Sequence, residues 1–214
     1  MSEQKHSELY HERREFFNDR AERWLDLCYL DPATGRHSLH DKDFARLFRE
    51  LPVPTDGVVL DVGCGSGVVV PYILPLLSPT AKLIEVDYAE KMIAENRRLH
   101  QDPRISFMVS DVLAVALPPA SVDLVLCFSC FPHFENKPAV IKHLAKLLRS
   151  GGRLAIAHFS SAHDLNNHHR KHGPVQHDML PNAAAMRKMI ADAGLSTESF
   201  VDESGFYLLQ ARKA

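Results

Sequence analysis

The sequence predicts an α/β fold: a seven-stranded, mostly parallel sheet with helices on both faces, a C-terminal antiparallel hairpin and an N-terminal helical cap. Three observations carry this. From residue 57 onward, short apolar runs alternate with helical stretches, the pattern of strands joined by crossover helices. One run, 122–128, is apolar almost without a break, as a strand buried on both faces requires. The last two runs are separated only by Glu203-Ser204, too short for a crossover, so they pair as a hairpin.

The elements follow in order. Leu9, Phe16, Phe17, Arg20, Trp24, Leu27 and Cys28 recur at three- and four-residue steps and predict one helix over 6–30. Asp31 to Gly35 reads as a turn, and a short helix over about 40–51 leads to Pro52 and Pro54. Strand one is 57–62. The helix after it, 67–77, contains Pro71 and Pro75 and so needs a long first turn or a kink. Strand two is 81–86, followed by a helix over 89–101; strand three is 104–109 and strand four 122–128. A helix over 138–149 is expected to stop at Gly151-Gly152 as a C-cap, with strand five over 152–159. A helix over 182–193, then strands over 195–202 and 205–212, complete the chain. Residues 1–54 are thus expected to form the cap, and 55–214 a single domain carrying a histidine-rich lid loop, 158–181.

Of 214 residues, 45% are hydrophobic and 24% charged, enough to bury one core. Lys and Arg number 25 against 27 Asp and Glu, a net charge of −2 without basic blocks, which argues against a nucleic-acid partner. No run reaches the roughly 18–20 apolar residues of a membrane span, and Met1 to Arg20 is polar and charged, with no apolar core of signal-peptide length, so no targeting segment is expected. Cys28, Cys64, Cys127 and Cys130 do not form a secreted scaffold, so a reducing, cytoplasmic setting is expected. A homodimer is left open.

The most informative stretch is Val58 to Val68: an apolar strand ending in Asp61, then Gly63, Gly65 and Gly67 at alternate positions. Twenty residues past Gly67 the next apolar run ends in Asp87. A glycine turn followed by an acid at the next strand end holds nucleoside-bearing cofactors in α/β folds. The G-x-G-x-x-G spacing of dinucleotide folds would need a third glycine at 68, where Val68 stands, and no P-loop occurs. Asp61 would repel a phosphate but suits a ligand with an amino group or a sulfonium.

These residues, with Glu85 to Ile93, Ser110 to Leu113 and Ser121 to Ser129, resemble the class I S-adenosylmethionine-dependent methyltransferases of small-molecule type. The resemblance covers about 55–160 and implies a Rossmann-like fold. It implies that the turn with Gly63, Cys64, Gly65 and Gly67 packs against the methionine part of S-adenosylmethionine, and that Asp61 organises its amino end. It further implies that Asp87 accepts the ribose hydroxyls, that Tyr88 and Met92 flank the adenine, and that Asp111, with backbone groups of Val112 and Leu113, takes the adenine amino group. Phe128, at the end of strand four, would border the transferable methyl. S-adenosylhomocysteine would be the product.

A sulfonium is already a good leaving group, so the protein's work is alignment and exclusion of water. A base is needed only where the acceptor must lose a proton. His133, in the loop after strand four, is the candidate, against a plain packing role. That loop lacks the Asn/Asp-Pro-Pro-Tyr pattern of many nucleic-acid amino methyltransferases, which favours a small-molecule acceptor. Cys127 and Cys130 read as buried structural thiols. Six histidines lie between 158 and 177. His168 and His172 are the one pair spaced four apart, while His163 and His168, or Asp164 and His169, diverge on a helix. If the loop holds a divalent metal, His158, His169 and Asp178 are its candidate ligands; scattered, solvated histidines are the simpler reading. Tyr10, Phe16, Phe17 and Trp24 permit an apolar or aromatic acceptor, or simply pack on the domain. Two other functions compete: a nucleotide-binding oxidoreductase of similar architecture, and a non-catalytic S-adenosylmethionine-binding module.

Overall fold

The computed structural model describes residues 3–171 and 173–214. One seven-stranded sheet organises it: β1 (Val58–Val62), β2 (Lys82–Asp87), β3 (Ile105–Val109), β4 (Val122–Phe128), β5 (Leu148–His158), β6 (Leu195–Glu203) and β7 (Phe206–Lys213). The strand order is β3-β2-β1-β4-β5-β7-β6. Neighbours from β3 to β5 pair in parallel, and only β7 runs antiparallel to the strands beside it. The order reverses between β1 and β4, the point at which open α/β sheets leave a crevice beyond the strands' carboxyl ends.

The helices are α1 (Glu3–Asn18), α2 (Trp24–Cys28), α3 (Asp41–Glu50), α4 (Val70–Ile73), α5 (Glu90–Leu99), α6 (Lys137–Leu147), α7 (Ala162–His169) and α8 (Ala183–Asp192). Alternation along the strands divides the core between two faces. On one face Val125 and Cys127 of β4 and Ile156 of β5 pack with Ile141 and Leu144 of α6 and Met186 and Ile190 of α8. On the other, Leu124 and Leu126 pack with Phe44 and Leu47 of α3 and Ile73 of α4. All seven β4 residues are buried, as the unbroken run requires.

Four boundaries depart from the sequence expectation. The first helix is broken, because the Asn18 side chain turns away to accept the Lys91 amide of α5 at 3.1 Å. A 3-10 turn over Ala21–Arg23 then aims Ala21 and Trp24 at Met92. The prolines confine α4 to four residues and leave a 3-10 turn over Leu74–Leu76. Gly151-Gly152 is not a C-cap: α6 ends at Leu147, and β5 starts immediately, running through both glycines opposite an irregularity in its pairing with β4. The hairpin loop is Ser204-Gly205, since Glu203 already pairs with Phe206.

The histidine-rich segment is not all loop. Ser161 accepts the Asp164 amide and opens α7, which ends at His169. His172, half of the four-apart pair, lies outside the described residues.

Candidate functional site

The carboxyl ends of β1, β2 and β3 and the loop after β4 surround a cavity of about 300 Å³. α1 and the turn into α2 cover it with Tyr10, Arg13, Phe17 and Trp24. Mixed apolar walls with a few convergent polar groups are the usual make-up of a small-molecule site.

The floor is the glycine turn. Gly63 and Cys64 donate to the Val86 carbonyl at 2.8 and 3.1 Å, binding the turn to β2. Gly67 has φ +82°, and a Cβ there would lie 2.2 Å from Asn96 Oδ1, so the turn packs backbone-close on α5. A Cβ on Gly65 would meet nothing nearer than Trp24 at 3.7 Å, so this glycine keeps cavity space open instead.

Three acids lie at or just past the carboxyl ends of β1, β2 and β3. Asp61 is 1% exposed, lines the cavity, and neither carboxylate oxygen has a hydrogen-bond partner among the described residues. Burial, then the neighbouring Glu85, push its carboxyl well above the usual carboxylate range. Glu85 pairs in register with Asp61 from β2. Burial pushes it up to about 7, although Asn96 Nδ2 donates to it at 2.8 Å. An orphaned carboxylate in a water-poor cleft costs free energy unless a cation meets it. The site therefore suits a positively charged ligand group.

Asp87 accepts the amides of Gly65 and Ala89, both at 2.9 Å. Burial raises its pKa and these bonds oppose the rise. A carboxylate has about four acceptor positions, so these amides leave capacity for a ligand hydroxyl. Asp111 caps the 3-10 turn Val112–Ala114 by accepting the Leu113 amide at 2.8 Å. Tyr88, Met92, Val112, Leu113 and Phe128 also line the cavity. Tyr10 packs on Tyr88 with ring centroids 5.2 Å apart, and burial, then Asp111, raise its hydroxyl to about 12.

The loop after β4 starts at Ser129, a non-glycine residue with φ +56°. It places His133 in the cavity wall, at the end of the 3-10 turn Phe131–His133. Lys137 Nζ fastens this turn by donating to the carbonyls of Pro132 and Phe134 at 2.8 and 2.7 Å. His133 Nδ1 lies 2.7 Å from Asp178 Oδ2. Asp178 Oδ1 accepts from Arg13 Nη2, and the Asp178 carbonyl accepts from His169 Nδ1.

The structure thus brings to one cavity the residues read as cofactor-binding except Gly67, which packs behind the turn against Asn96 of α5, and it brings His133 with them. The candidate metal ligands behave differently. His158 is buried beside Tyr207, ring centroids 6.0 Å apart, and does not line the cavity; burial holds it down to about 3. The Asp178 carboxylate is engaged by Arg13 and His133. Among the described residues no group of three or more His, Cys, Asp or Glu side chains could hold a metal ion. The thiols of Cys127 and Cys130 are buried and free, and Cys130 Sγ donates to the Val62 carbonyl at 2.9 Å.

Sequence reading missed Arg13, although it stands three residues after Tyr10 and four before Phe17, on the aromatic face of α1. It also missed Glu85 as the partner of Asp61; their register across two strands is not visible in either strand alone.

Residues 60–156 match the family model described as a methyltransferase domain. The 27-O-demethylrifamycin SV methyltransferase of Amycolatopsis mediterranei is 31% identical over 118 residues, which are 53% of this chain and 43% of that protein. The malonyl-[acyl-carrier protein] O-methyltransferase of a Paenibacillus is 30% identical over 157 residues, 67% of this chain and 56% of that one. The chain thus spans about half the length of these relatives. Among solved structures, the putative methyltransferase in complex with the Trm112 activator of Haloferax volcanii superposes with a TM-score of 0.74 at 18% identity, covering 92% of this chain and 96% of that one. A SAM-dependent methyltransferase from Aquifex aeolicus gives 0.70 at 18% identity, covering 90% and 98%. At such identities these two likenesses establish the fold.

Proposed function

We propose that this chain, which belongs to the class I S-adenosylmethionine-dependent methyltransferase family, methylates a small-molecule acceptor inside the cavity under α1. The observation that carries the reading is the buried, unpartnered carboxylate of Asp61 beside the open face of Gly65. When bound there, S-adenosylmethionine supplies an electrophilic methyl on a sulfonium. Asp61 offers its free oxygens to the cofactor's amino end. Asp87, already fixed by two backbone amides, uses its remaining acceptor positions for ribose hydroxyls. Asp111 and the short turn it caps face the adenine amino group, with Tyr88 and Met92 against the ring.

Phe17, Trp24 and Phe128 make the remaining walls apolar, which excludes water and strengthens electrostatic contacts inside. His133 is the proton acceptor where the acceptor atom must lose a proton. α1 and Trp24 act as a cap, and Asp178 and His169 back His133 on the acceptor side. The acceptors named for the two relatives, a rifamycin and a malonyl-acyl-carrier-protein, are consistent with a small or carrier-borne substrate.

The experiment has two arms. Methyl-labelled S-adenosylmethionine is incubated with the protein and a metabolite extract, and the label is followed by mass spectrometry into an organic acceptor. Calorimetry with S-adenosylhomocysteine then compares wild type with Asp87→Ala, whose affinity should fall at least tenfold. An unchanged affinity rejects the ribose assignment. Binding without any transfer moves the reading to a non-catalytic cofactor-binding module.

A further inference from the structure

Asp178 is buried, with 3% of its side chain exposed, and three different elements use it. α1 sends Arg13, which donates to Oδ1; the loop after β4 sends His133, whose Nδ1 meets Oδ2 at 2.7 Å; α7 sends His169, which donates to its carbonyl. The His133 ring is held on its other sides too. His169 stacks on it with centroids 5.4 Å apart and planes 27° apart, and Phe17 meets it edge-on at 5.5 Å. A carboxylate can only accept, so the ring must present Nδ1–H to Asp178. Nε2 has no hydrogen-bond partner among the described residues, and His133 lines the cavity.

We propose that Asp178 is a positioning residue that fixes the His133 imidazole as the Nδ1–H tautomer, so that the lone pair on Nε2 serves the acceptor, and that the acceptor is therefore a protic oxygen, nitrogen or sulfur nucleophile. This rests on the reading of His133 as proton acceptor. As the acceptor atom bonds to the methyl carbon, the carbon–sulfur bond breaks with its pair passing to sulfur, and the acceptor's proton goes to Nε2. The imidazolium so formed is met by Asp178. Arg13, itself shared with Glu135 at 3.3 Å, keeps the Asp178 carboxylate from turning away. Asp178 thus has a task in the site that needs no metal ion.

The network makes a specific claim about Asp178→Asn. Arg13 can only donate, so it takes the side-chain oxygen, and the new NH2 group faces His133. The imidazole must then accept on Nδ1 and carry its proton on Nε2, pointing the wrong way. The test is a long-range 1H–15N spectrum of 15N-labelled full chain at pH 7.5, with and without S-adenosylhomocysteine. Loss of the signal in His133→Gln assigns it. Wild type is expected to show the proton on Nδ1, and Asp178→Asn the inverted pattern. In the label-transfer assay, turnover of Asp178→Asn should fall roughly 100-fold or more, with S-adenosylhomocysteine affinity within twofold of wild type. A wild-type ring protonated on Nε2, or on both nitrogens, overturns the proposal without any variant having to fold. So does an unchanged tautomer in a folded Asp178→Asn. Failure of S-adenosylhomocysteine to bind wild type would instead reject the cofactor reading, while the tautomer is still read on the free protein.

Discussion

Replacing Asp61 by Asn should move stability and affinity in opposite directions. In the unfolded chain this carboxyl ionises near its ordinary value of 3.8; in the fold, burial and Glu85 raise it well above that. The folded protein therefore holds a proton that the unfolded chain has lost. Wild-type stability falls as pH rises from about 4 through the folded-state value, by at most about 1.4 kcal/mol per pH unit. Asp61→Asn is nearly isosteric and does not titrate, so this loss disappears. The variant should therefore gain on wild type as pH rises above about 4, read as a melting-temperature difference that widens from pH 5 upward. The remaining slope up to about pH 7 belongs to Glu85. Affinity goes the other way. A hydrogen bond to a charged group is worth about 1.5–3 kcal/mol, so the S-adenosylhomocysteine Kd should rise about 10- to 150-fold. The assays are melts followed by circular dichroism from pH 5 to 7.5, and calorimetry at pH 7.5. A melting-temperature difference that stays flat with pH, or an unchanged Kd, would refute the argument that this carboxylate is kept uncompensated for a cationic ligand.

Other outcomes follow from the same geometry. Gly67→Ala puts a Cβ into Asn96 Oδ1 and a non-glycine residue at φ +82°, and displaces the side chain that serves Glu85; stability should drop by about 1–3 kcal/mol, and an unchanged melting temperature would show that the turn can relax. Phe44→Ala removes a fully buried ring stacked on Tyr72 at 4.1 Å and packed on Phe128 at 5.0 Å. It should cost about 3–5 kcal/mol, read as a lower urea midpoint at constant m.

The strand ends that build the cofactor side were legible because each carries its own local signal: an apolar run, then an acid, then a turn or a helix start. Asp61, Asp87 and Asp111 needed no knowledge of what lay opposite. The reading weakened where a residue's role is set by a partner far along the chain. Asp178 carries the charge of a metal ligand, and only the approach of Arg13, 165 residues away, gives it a different use. The break after Asn18 depends on an amide 73 residues downstream, so helical periodicity alone ran through it. Gly151-Gly152 looked like a helix stop because the local signal of two glycines after a helix does not show that β5 already begins at Leu148, where it pairs with Val122 of β4.

The cavity roof is made from a part of the chain that precedes the whole sheet. Its fastenings, Arg14 on Glu90, Asn18 on Lys91 and Arg13 on Asp178, span 76, 73 and 165 residues. A ribosome delivers α1 long before anything exists for it to close over, and each of these contacts closes a long loop of chain. The glycine turn of the floor, by contrast, is tied to the next strand, with the Gly65 amide on Asp87 only 22 residues away. Completion of the roof is accordingly a late event in folding, and its undoing an early one: amides of α1 should exchange with solvent well before those of β4. Loosening of α1 would then open the roof while the sheet beneath stays intact, which the same exchange measurement would read.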